Sequence, residues 1–548
     1  MKTYNDYLKI TGEFGEVSEI KLPLVTVTGL PSVAPFELVL FESGIVGEVF
    51  AIHKHAVEII LFSKKSPTTG EKVVRTKELL QVPVGSELLG AVIDPTGAAI
   101  GTSAKITAKK TSDLNGKVKG ITSRASITQP FDSGMTVIDM LLPLGKGQKQ
   151  LIIGDRKTGK TAFLLSILKT QAKAGAVVVY AAIGKKQSDV RHVLAYIESE
   201  KLQKQTVVVA SNSSDSPGLI YLTPFTAMTI AEGFRDEGKE VVVILDDLST
   251  HAKFYREMSL IGKRFPGRES YPGDIFFTHS RLLERSGNFT QEGKKEEVSI
   301  TCLPIVETVE SDLTSYIATN IMSMTDGHIF FDQGTFAKGR RPAINIPLSV
   351  TRVGRQAQSP LRRDINQKLT AFLSLFEQME NLSHFGAELS GKVQNTIKTG
   401  ERIHAFLNQP KHVIIDPQIQ LIIFALMWGN SIEDANPATI QEKINKLGEA
   451  TQKDATLKKM IQEMTSVENL DDLLLQVNQK KNHLAAIIGE MKTVTTETVI
   501  TTPSPNSTTS ETASKGEQAQ PTFKVGATTS KTITQTDSIL FVPMTDKK

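Results

Sequence analysis

The stretch that decides the fold reads Leu151-Ile152-Ile153-Gly154-Asp155-Arg156-Lys157-Thr158-Gly159-Lys160-Thr161. From Gly154 onward it matches G-x-x-x-x-G-K-[ST], the pattern of a loop whose backbone N–H groups surround phosphate groups. An apolar run precedes the loop and a helical pattern of apolar residues follows it, which is the strand-loop-helix context that the pattern needs. The whole loop, 154–161, is therefore predicted to bind nucleotide. Lys160 is expected at the outer phosphates, and the Thr161 hydroxyl is expected to bind Mg²⁺.

A second feature of nucleotide sites is an aspartate at the end of a buried strand. The run Val241 to Leu245 is continuously apolar, and Asp246 follows it directly. In phosphate-loop proteins such a carboxylate completes the Mg²⁺ shell, usually through water. An aspartate in this position also serves commonly as a helix cap, so Asp246 depends on the loop for its interpretation. Together the two features predict a site for ATP or ADP with Mg²⁺.

The surrounding pattern indicates an α/β core. Continuous β-branched runs occur at Val177–Tyr180, Val207–Val209 and Val241–Leu245, and a helical pattern spans Asp189 to Glu200. Such runs alternating with helices are typical of a mostly parallel sheet covered on both faces. We assign this core to residues 82–360.

The segments on either side of the core differ from it in sequence pattern and composition. Residues 1–81 contain short strand patterns with a hairpin around residues 42–44, which predicts a small β-barrel. Amphipathic helical patterns dominate 361–492, which predicts a helical domain. The segment 493–548 is rich in Thr and Ser, and we predict a disordered tail because this composition cannot bury a core. Its apolar stretch 539–544 is a candidate docking segment for an external partner.

Composition limits the functional classes. The chain has 548 residues, a formal net charge of +4 and 40% hydrophobic residues, so it is an ordinary multidomain globular protein without a basic groove for nucleic acid. One cysteine, Cys302, excludes an internal disulfide and fits a reducing compartment. No apolar window approaches the ~20 residues of a membrane span, and residues 1–14 do not form a signal peptide. We expect a cytoplasmic protein that meets a membrane only through partners.

These features, with several further blocks, resemble the alpha subunits of the F-type rotary ATPases over roughly residues 12–429. The phosphate loop departs from the family only at Lys157, and the signature near Arg352 departs only at Thr351. The remaining matches are Val82 to Gly85, Glu87 to Gly90, Asp246 to Ser249, Pro266 to Glu269, Tyr271 to Asp274, His279 to Arg285 and Pro342 to Gly354.

The resemblance implies an N-terminal barrel, a RecA-like nucleotide domain and a C-terminal helical domain. It also implies a hexamer in which this chain alternates with catalytic beta-type subunits around a central gamma-type shaft. Such a complex lies at the inner face of the cell membrane.

Lys185 indicates that this chain binds nucleotide without hydrolysing it. The resemblance places it where catalytic beta subunits carry glutamate and alpha subunits usually carry glutamine. A charged lysine cannot accept a proton from the attacking water. Asp247 is an alternative base, and Lys185 itself faces either phosphate or solvent.

The resemblance assigns roles to other residues. Arg352 corresponds to the arginine that reaches across the interface to the phosphates of a neighbouring beta-type site, where it stabilises charge in the transition state. The alternative is a structural arginine paired with a carboxylate. The residues implied around the purine are Phe336, Arg341, Pro342 and Gln409.

Several departures leave the biology open. Pro410 and Lys411 replace a glycine and a glutamine of the family, which leaves the base preference undecided. The chain starts almost at the barrel, without the usual first helix, and carries a long Thr-rich tail. Both features are similar to those of the divergent F-type-like ATPases of wall-less bacteria, some of which are tied to surface or gliding machinery. A specialised motor not engaged in ATP synthesis is therefore an alternative. Two further functions fit the same phosphate loop: a Rho-like homohexameric RNA translocase, and an assembly protein in which the loop is idle.

Overall fold

The computed structural model describes residues 2–101, 108–116, 118–291, 296–384 and 391–489. The tail predicted for 493–548, with its apolar stretch, lies outside the described residues, as does the end of the helical segment at 490–492.

A short helix, α1 (Tyr4–Thr11), precedes the barrel. It begins with a capping box, in which the Thr3 side chain accepts a hydrogen bond from the Asp6 N–H and Asp6 reciprocates. It ends at Gly12, whose φ of 64° is the left-handed conformation that terminates helices. Tyr7 anchors the helix because it is buried against Leu40 and Val74 of the barrel. The expectation that the chain has no helix ahead of the barrel is therefore wrong.

The N-terminal strands close into a barrel. The order around it is β1-β2-β5-β4-β3-β6, with antiparallel pairing throughout. Strands β3 and β4 form the predicted hairpin. The interior is filled by β-branched and aromatic side chains such as Val25, Val39, Phe41 and Ile59. The strands are β1 (Phe14–Lys21), β2 (Leu24–Thr28), β3 (Glu37–Phe41), β4 (Val46–Ile52), β5 (Val57–Leu61) and β6 (Lys72–Leu79).

A linking region leads from the barrel to the core. Two small antiparallel pairs form there, β7 with β9 and β10 with β11. The elements are β7 (Gln81–Val84), β8 (Val92–Ile93), β9 (Lys110–Asp113), β10 (Pro130–Phe131), α2 (Thr136–Leu141) and β11 (Leu144–Gly145).

The core is a largely parallel sheet with helices on its faces. Its elements, in chain order, are β12 (Leu151–Asp155), α3 (Lys160–Lys173), β13 (Val177–Lys185), α4 (Gln187–Ser199), β14 (Thr206–Asn212), α5 (Pro217–Asp236), β15 (Val241–Asp246), α6 (Leu248–Ile261), α7 (Ile275–Leu283), β16 (Gly287–Thr290), β17 (Glu297–Thr308), α8 (Tyr316–Met324), β18 (Gly327–Phe331), α9 (Gln333–Ala337), β19 (Val350–Thr351) and α10 (Gly354–Ala357).

The strand order decides which residues meet. It runs β19-β18-β12-β17-β15-β13-β14-β8, and only the pairs β18–β19 and β16–β17 are antiparallel. Strand β13 lies directly beside β15, with Ala182 opposite Asp246. The carboxyl ends of β12, β13 and β15 therefore lie at one edge of the sheet, where ligands bind in open α/β sheets. The predicted α/β core with mostly parallel sheet is confirmed.

The C-terminal part is helical, as predicted. Its elements are α11 (Pro360–His384), α12 (Gly391–Leu407), α13 (Pro417–Trp428), α14 (Pro437–Lys453), α15 (Ala455–Met464), α16 (Leu470–Gln479) and α17 (Lys481–Ile488). The apolar helix α13 lies in the interior, where its side chains join the same core as the sheet. Among the described residues, no helix combines the length and apolar character needed to cross a membrane.

Candidate functional site: a phosphate loop beside a buried lysine

A cavity of about 610 Å³ opens at the carboxyl edge of the sheet. This size suits a ligand such as a nucleotide. Of the residues predicted for the site, Gly154, Asp155 and Arg352 do not line the cavity. Those that line it are Arg156, Lys157, Thr158, Gly159, Lys160, Thr161, Asp246, Phe336, Arg341, Pro342 and Gln409.

Two glycines allow the loop to turn tightly between β12 and α3. Gly154 has a φ of 150°, and a Cβ there would lie 2.2 Å from the Phe331 carbonyl oxygen on β18. Gly159 has a φ of 100° at the N-terminus of α3, a conformation that other residues rarely adopt. The backbone can therefore curve around the space in front of the helix N-terminus, where N–H groups and the helix dipole favour anions.

Asp155 holds the loop from behind. Its carboxylate accepts a hydrogen bond from the Thr308 hydroxyl at 2.5 Å and from the Ser311 N–H at 2.9 Å. Burial opposes ionisation, but these hydrogen bonds outweigh it and lower the pKa of Asp155. The side chain therefore fixes the loop to the end of β17 and does not itself line the cavity.

Lys160 lies buried at the base of the loop. Its Nζ donates to the carbonyl oxygens of Gly154 at 2.7 Å and Asp155 at 2.5 Å. Burial lowers the pKa of Lys160, although the nearby carboxylates, Glu307 foremost, act in the opposite direction. Thr161, the next residue, is exposed on the cavity. At the rim, the Arg156 Nε lies 2.7 Å from an oxygen of Glu307.

Lys185 makes contacts in the site that the sequence did not predict. Its Nζ lies 2.6 Å from Oδ1 of Asp246 and 2.8 Å from Oδ2 of Asp247. Burial opposes charge on this ammonium, but the two carboxylates outweigh it and raise the pKa of Lys185. The residue that the sequence expected to face phosphate or solvent is thus an ionised partner of both aspartates.

The two aspartates have no oxygen left without a partner. The other oxygen of Asp246 accepts a hydrogen bond from the Tyr180 hydroxyl at 2.6 Å. Asp247 caps α6 by accepting from the Thr250 N–H at 2.7 Å and the Thr250 hydroxyl at 3.1 Å. Burial, followed by the negative charge of Asp246, holds the pKa of Tyr180 well above its usual range, so the hydroxyl stays a donor. Asp247 is consequently a helix cap, which argues against the alternative of Asp247 as a base.

This arrangement does not fit the Mg²⁺ site that the sequence predicts. Mg²⁺ is usually held by one or two carboxylates and phosphate oxygens, with strict octahedral geometry. Both oxygens of Asp246 are engaged by Lys185 and Tyr180, and an ammonium stands beside them. Thr161 alone remains as a free predicted ligand on the cavity.

The other end of the cavity has an aromatic and cationic wall. The Arg341 guanidinium carbon lies 3.5 Å from the centre of the Phe336 ring, a close cation–π contact. The same guanidinium donates to the carbonyl oxygens of Phe336 at 2.8 Å and Arg340 at 2.7 Å. Phe336 could also be a plain core residue, but it is half-buried and lines the cavity, which argues against that interpretation. Pro342 lies beside them.

Gln409 lines the cavity but its amide is committed elsewhere. The Nε2 group donates to the carbonyl oxygens of Gly134 at 2.8 Å and Val413 at 2.7 Å. The Oε1 atom accepts from the Thr136 N–H at 3.0 Å and from its hydroxyl at 3.3 Å. With a side chain this well satisfied and a residue exposure of only 2%, Gln409 holds two chain segments together. Its geometry favours a positioning role over contact with a purine.

Arg352 lies away from the cavity. It follows β19 at the edge of the sheet, where its N–H donates to the Asp326 carbonyl oxygen at 3.0 Å. Its side chain is exposed, and no carboxylate within the described ranges forms an ion pair with it. The alternative of a structural arginine held by a carboxylate therefore finds no partner in that part of the chain.

Three contributors to the site were not predicted from the sequence: Tyr180, Glu307 and the pairing of Lys185. Tyr180 and Glu307 are separated from the loop in sequence and become neighbours only through the strand order. The available signal was that Lys185 and Asp246 both end buried strands. Parallel strands end at one edge, so adjacent strands bring such residues together.

Comparison with known proteins supports the resemblance to alpha subunits of the F-type ATPases. The family model described as "ATP synthase alpha/beta family, nucleotide-binding domain" matches residues 134–351, and "ATP synthase alpha/beta chain, C terminal domain" matches 358–491. The chain is 37% identical over 462 residues to the ATP synthase subunit alpha of Acholeplasma laidlawii, covering 84% of this chain and 92% of that protein.

Two further relatives are similar to a comparable extent. One is ATP synthase subunit alpha 1 of Pseudoalteromonas atlantica, 37% identical over 424 residues, which are 77% of this chain and 80% of the relative. The other is ATP synthase subunit alpha of Rickettsia bellii, 38% identical over 419 residues, which are 75% of this chain and 81% of the relative. Both are alpha subunits by name.

Proposed function

Since the chain belongs to the ATP synthase alpha/beta family and its relatives are alpha subunits, we propose that it is the non-catalytic, nucleotide-binding subunit of a hexameric rotary ATPase. It binds ATP or ADP in its own cavity and alternates with beta-type subunits around a gamma-type shaft. The complex sits at the inner face of the cell membrane, and membrane contact is made by other subunits.

The single observation that carries the non-catalytic role is the contact set of Lys185. Hydrolysis needs a carboxylate that positions and activates water beside the outer phosphate. Lys185 occupies the end of the strand next to Asp246, and it is charged. Lys185 and Thr250 already donate to both oxygens of Asp247, so its carboxylate is held as a helix cap. We therefore expect the isolated chain to retain nucleotide without steady turnover.

Arg352 is proposed to act in a neighbouring subunit. An arginine finger must be exposed on its own chain, and its guanidinium must be free to pair with another subunit's phosphates. The exposure of Arg352, its position outside this chain's cavity and the absence of an ion pair within the described ranges support that role.

An RNA translocase receives less support from the structure. An RNA translocase needs aromatic side chains on a basic barrel face for base stacking. In the described part of the barrel, Phe14 is the exposed large aromatic, whereas Phe36 and Phe50 lie under arginines of the core. A specialised motor that does not synthesise ATP uses the same subunit chemistry, and purification of the native complex with its partners distinguishes it.

Replacement of Arg352 tests the proposal. In hexamers assembled with the catalytic partner, Arg352→Ala should lower the ATPase rate by about 10³ to 10⁵, the contribution of an arginine finger. That factor corresponds to roughly 4 to 7 kcal/mol in the barrier. Nucleotide occupancy of this chain should change little. Arg352→Lys should restore little activity, because an ammonium cannot reproduce the planar fork of donors.

Arg355→Ala is the matched control, because Arg355 is also exposed and lies three positions further along the chain. Its ATPase rate should stay close to that of the wild type. Hexamer integrity is checked by size for every variant. A near-normal rate in intact Arg352→Ala hexamers would refute the finger role.

A further inference from the structure

We propose that the Lys185 ammonium takes the place of the divalent cation at this nucleotide site, so that the chain holds ATP or ADP without Mg²⁺. The inference rests on the proposed nucleotide binding and adds to it the ionic form of the ligand: free ATP or ADP rather than the magnesium complex.

The carboxylate that a cation would need is already occupied. A cation at this site has to share Asp246, the strand-end aspartate beside the phosphate loop. The oxygen Oδ1 is 2.6 Å from the Lys185 Nζ, and Oδ2 accepts the Tyr180 hydroxyl at 2.6 Å. A Mg²⁺ ion or its water would have to displace a buried ion pair, and a buried carboxylate that loses its partner is strongly destabilised.

Lys185 itself is held in place. Asp247 binds the same ammonium at 2.8 Å, and Asp247 is fixed in turn by Thr250 at the start of α6. The Lys185 side chain is only 20% exposed, and its Nζ contacts an oxygen of each aspartate. These contacts fix the ammonium to the fold, whereas a diffusible ion can leave.

The cavity wall carries an excess of positive charge. Lys185 lines the same cavity as the phosphate-loop residues. Basic side chains outnumber acidic ones on the described wall. The basic residues are Arg156, Lys157, Lys160, Lys185, Arg341 and Lys411, and the acidic residues are Asp189, Asp246 and Glu307. Because ATP without its metal carries the full charge of its phosphates, a wall with excess positive charge stabilises that form.

The experiment measures ATP and ADP binding to the purified full-length chain by titration calorimetry, in excess Mg²⁺ and in excess EDTA. We expect the wild type to bind at least as tightly in EDTA as in Mg²⁺, because excess Mg²⁺ converts free ATP into the magnesium complex that this site does not hold. Lys185→Gln removes the fixed charge and frees Asp246. Its binding should weaken in EDTA relative to Mg²⁺ by roughly tenfold to hundredfold, the value of one charge-assisted contact.

Lys186→Gln is the matched control. Lys186 is the next residue, carries the same charge, is exposed and does not line the cavity. Its ratio of affinities in EDTA and in Mg²⁺ should equal that of the wild type. Circular dichroism of each variant shows whether it is folded, and if Lys185→Gln is not, the wild-type comparison alone decides the question.

The outcomes separate the two proposals. Binding by the wild type that is lost in EDTA would overturn the cation role of Lys185 and leave the proposed function intact. Tight, EDTA-resistant binding by folded Lys185→Gln would also overturn it. No binding by the wild type in either buffer contradicts the proposed nucleotide-binding function and this inference with it.

Discussion

Replacing Gln409 by leucine distinguishes a positioning residue from one that reads the purine. Leucine has a similar size but cannot replace the hydrogen bonds to Thr136, Gly134 and Val413. These groups hold the segment before α2 against the segment that follows α12. We therefore expect Gln409→Leu to destabilise the chain and to disturb the cavity wall as a whole.

The magnitude follows from the bonds that are lost. A hydrogen bond contributes about 1 kcal/mol net, and a buried group left unpaired costs about 1–3 kcal/mol. The Thr136 and Gly134 groups are buried, whereas Val413 is half-buried and can regain a partner from water. Allowing for relaxation, we expect a loss of about 2–4 kcal/mol in the free energy of unfolding. For a chain of this size that loss lowers the thermal midpoint by roughly 2–4 °C.

The assay combines scanning calorimetry with binding of ATP and GTP. Affinity for both nucleotides should fall by a similar factor, because the wall is disturbed without loss of a base contact. Gln462→Leu, on an exposed face of α15, controls for the change of side chain and should leave midpoint and affinity unchanged. An altered preference between ATP and GTP at an unchanged midpoint would show that Gln409 reads the base.

Two further substitutions and one truncation have expected outcomes that can be measured. Lys160→Ala should weaken nucleotide binding by this chain in calorimetry, yet slow the assembled ATPase less than Arg352→Ala, because we propose that the hydrolytic site belongs to the partner. Truncation after Met491 should leave hexamer formation and ATPase activity intact, as judged by size and rate, since the tail lacks core-forming composition. Burial raises the pKa of Glu48 to about 8 from 4.5. The folded state therefore keeps a proton that the unfolded chain releases, so stability falls as pH rises from about 4.5 through 8. Glu48→Gln should match the wild-type thermal midpoint near pH 4.5 and exceed it at pH 9, by up to a few kcal/mol in stability.

Most of the fold was predictable because its signals are local. The phosphate loop between β12 and α3 can be recognised from its own residues. The same is true of β13, β14 and β15, whose long apolar runs are typical of buried strands. The helix α1 escaped prediction because only Tyr7 is buried along its length. Strand β17 was not recognised either. It contains Pro304, which lacks an N–H and weakens a strand pattern, yet it lies in the middle of the sheet opposite Leu245.

The site was predictable only as a set of residues. The sequence identified the loop, Asp246 and the wall of Phe336 and Arg341, and these do line one cavity. It did not show what each side chain contacts, since contacts depend on strand order and on distant partners. Gln409 has the residue type of a base reader, but backbone groups of three residues engage its amide. Lys185 has the residue type of a solvated cation, but it forms ion pairs with two aspartates.

Lys185 bears on two functions that usually depend on separate groups of a site, which are the activation of water and the binding of a metal ion. In a hydrolytic site the base and the metal are distinct groups, and each can be lost without the other. Here one ammonium stands where the base is expected and also neutralises the carboxylate expected at the metal. If the cation role holds, loss of the base does not leave a weakened catalytic site behind. It leaves a site whose positive charge is fixed to the sheet, and nucleotide bound there is held by groups that do not exchange with solvent. Such a site is suited to holding a nucleotide while the proposed catalytic partner subunit hydrolyses ATP.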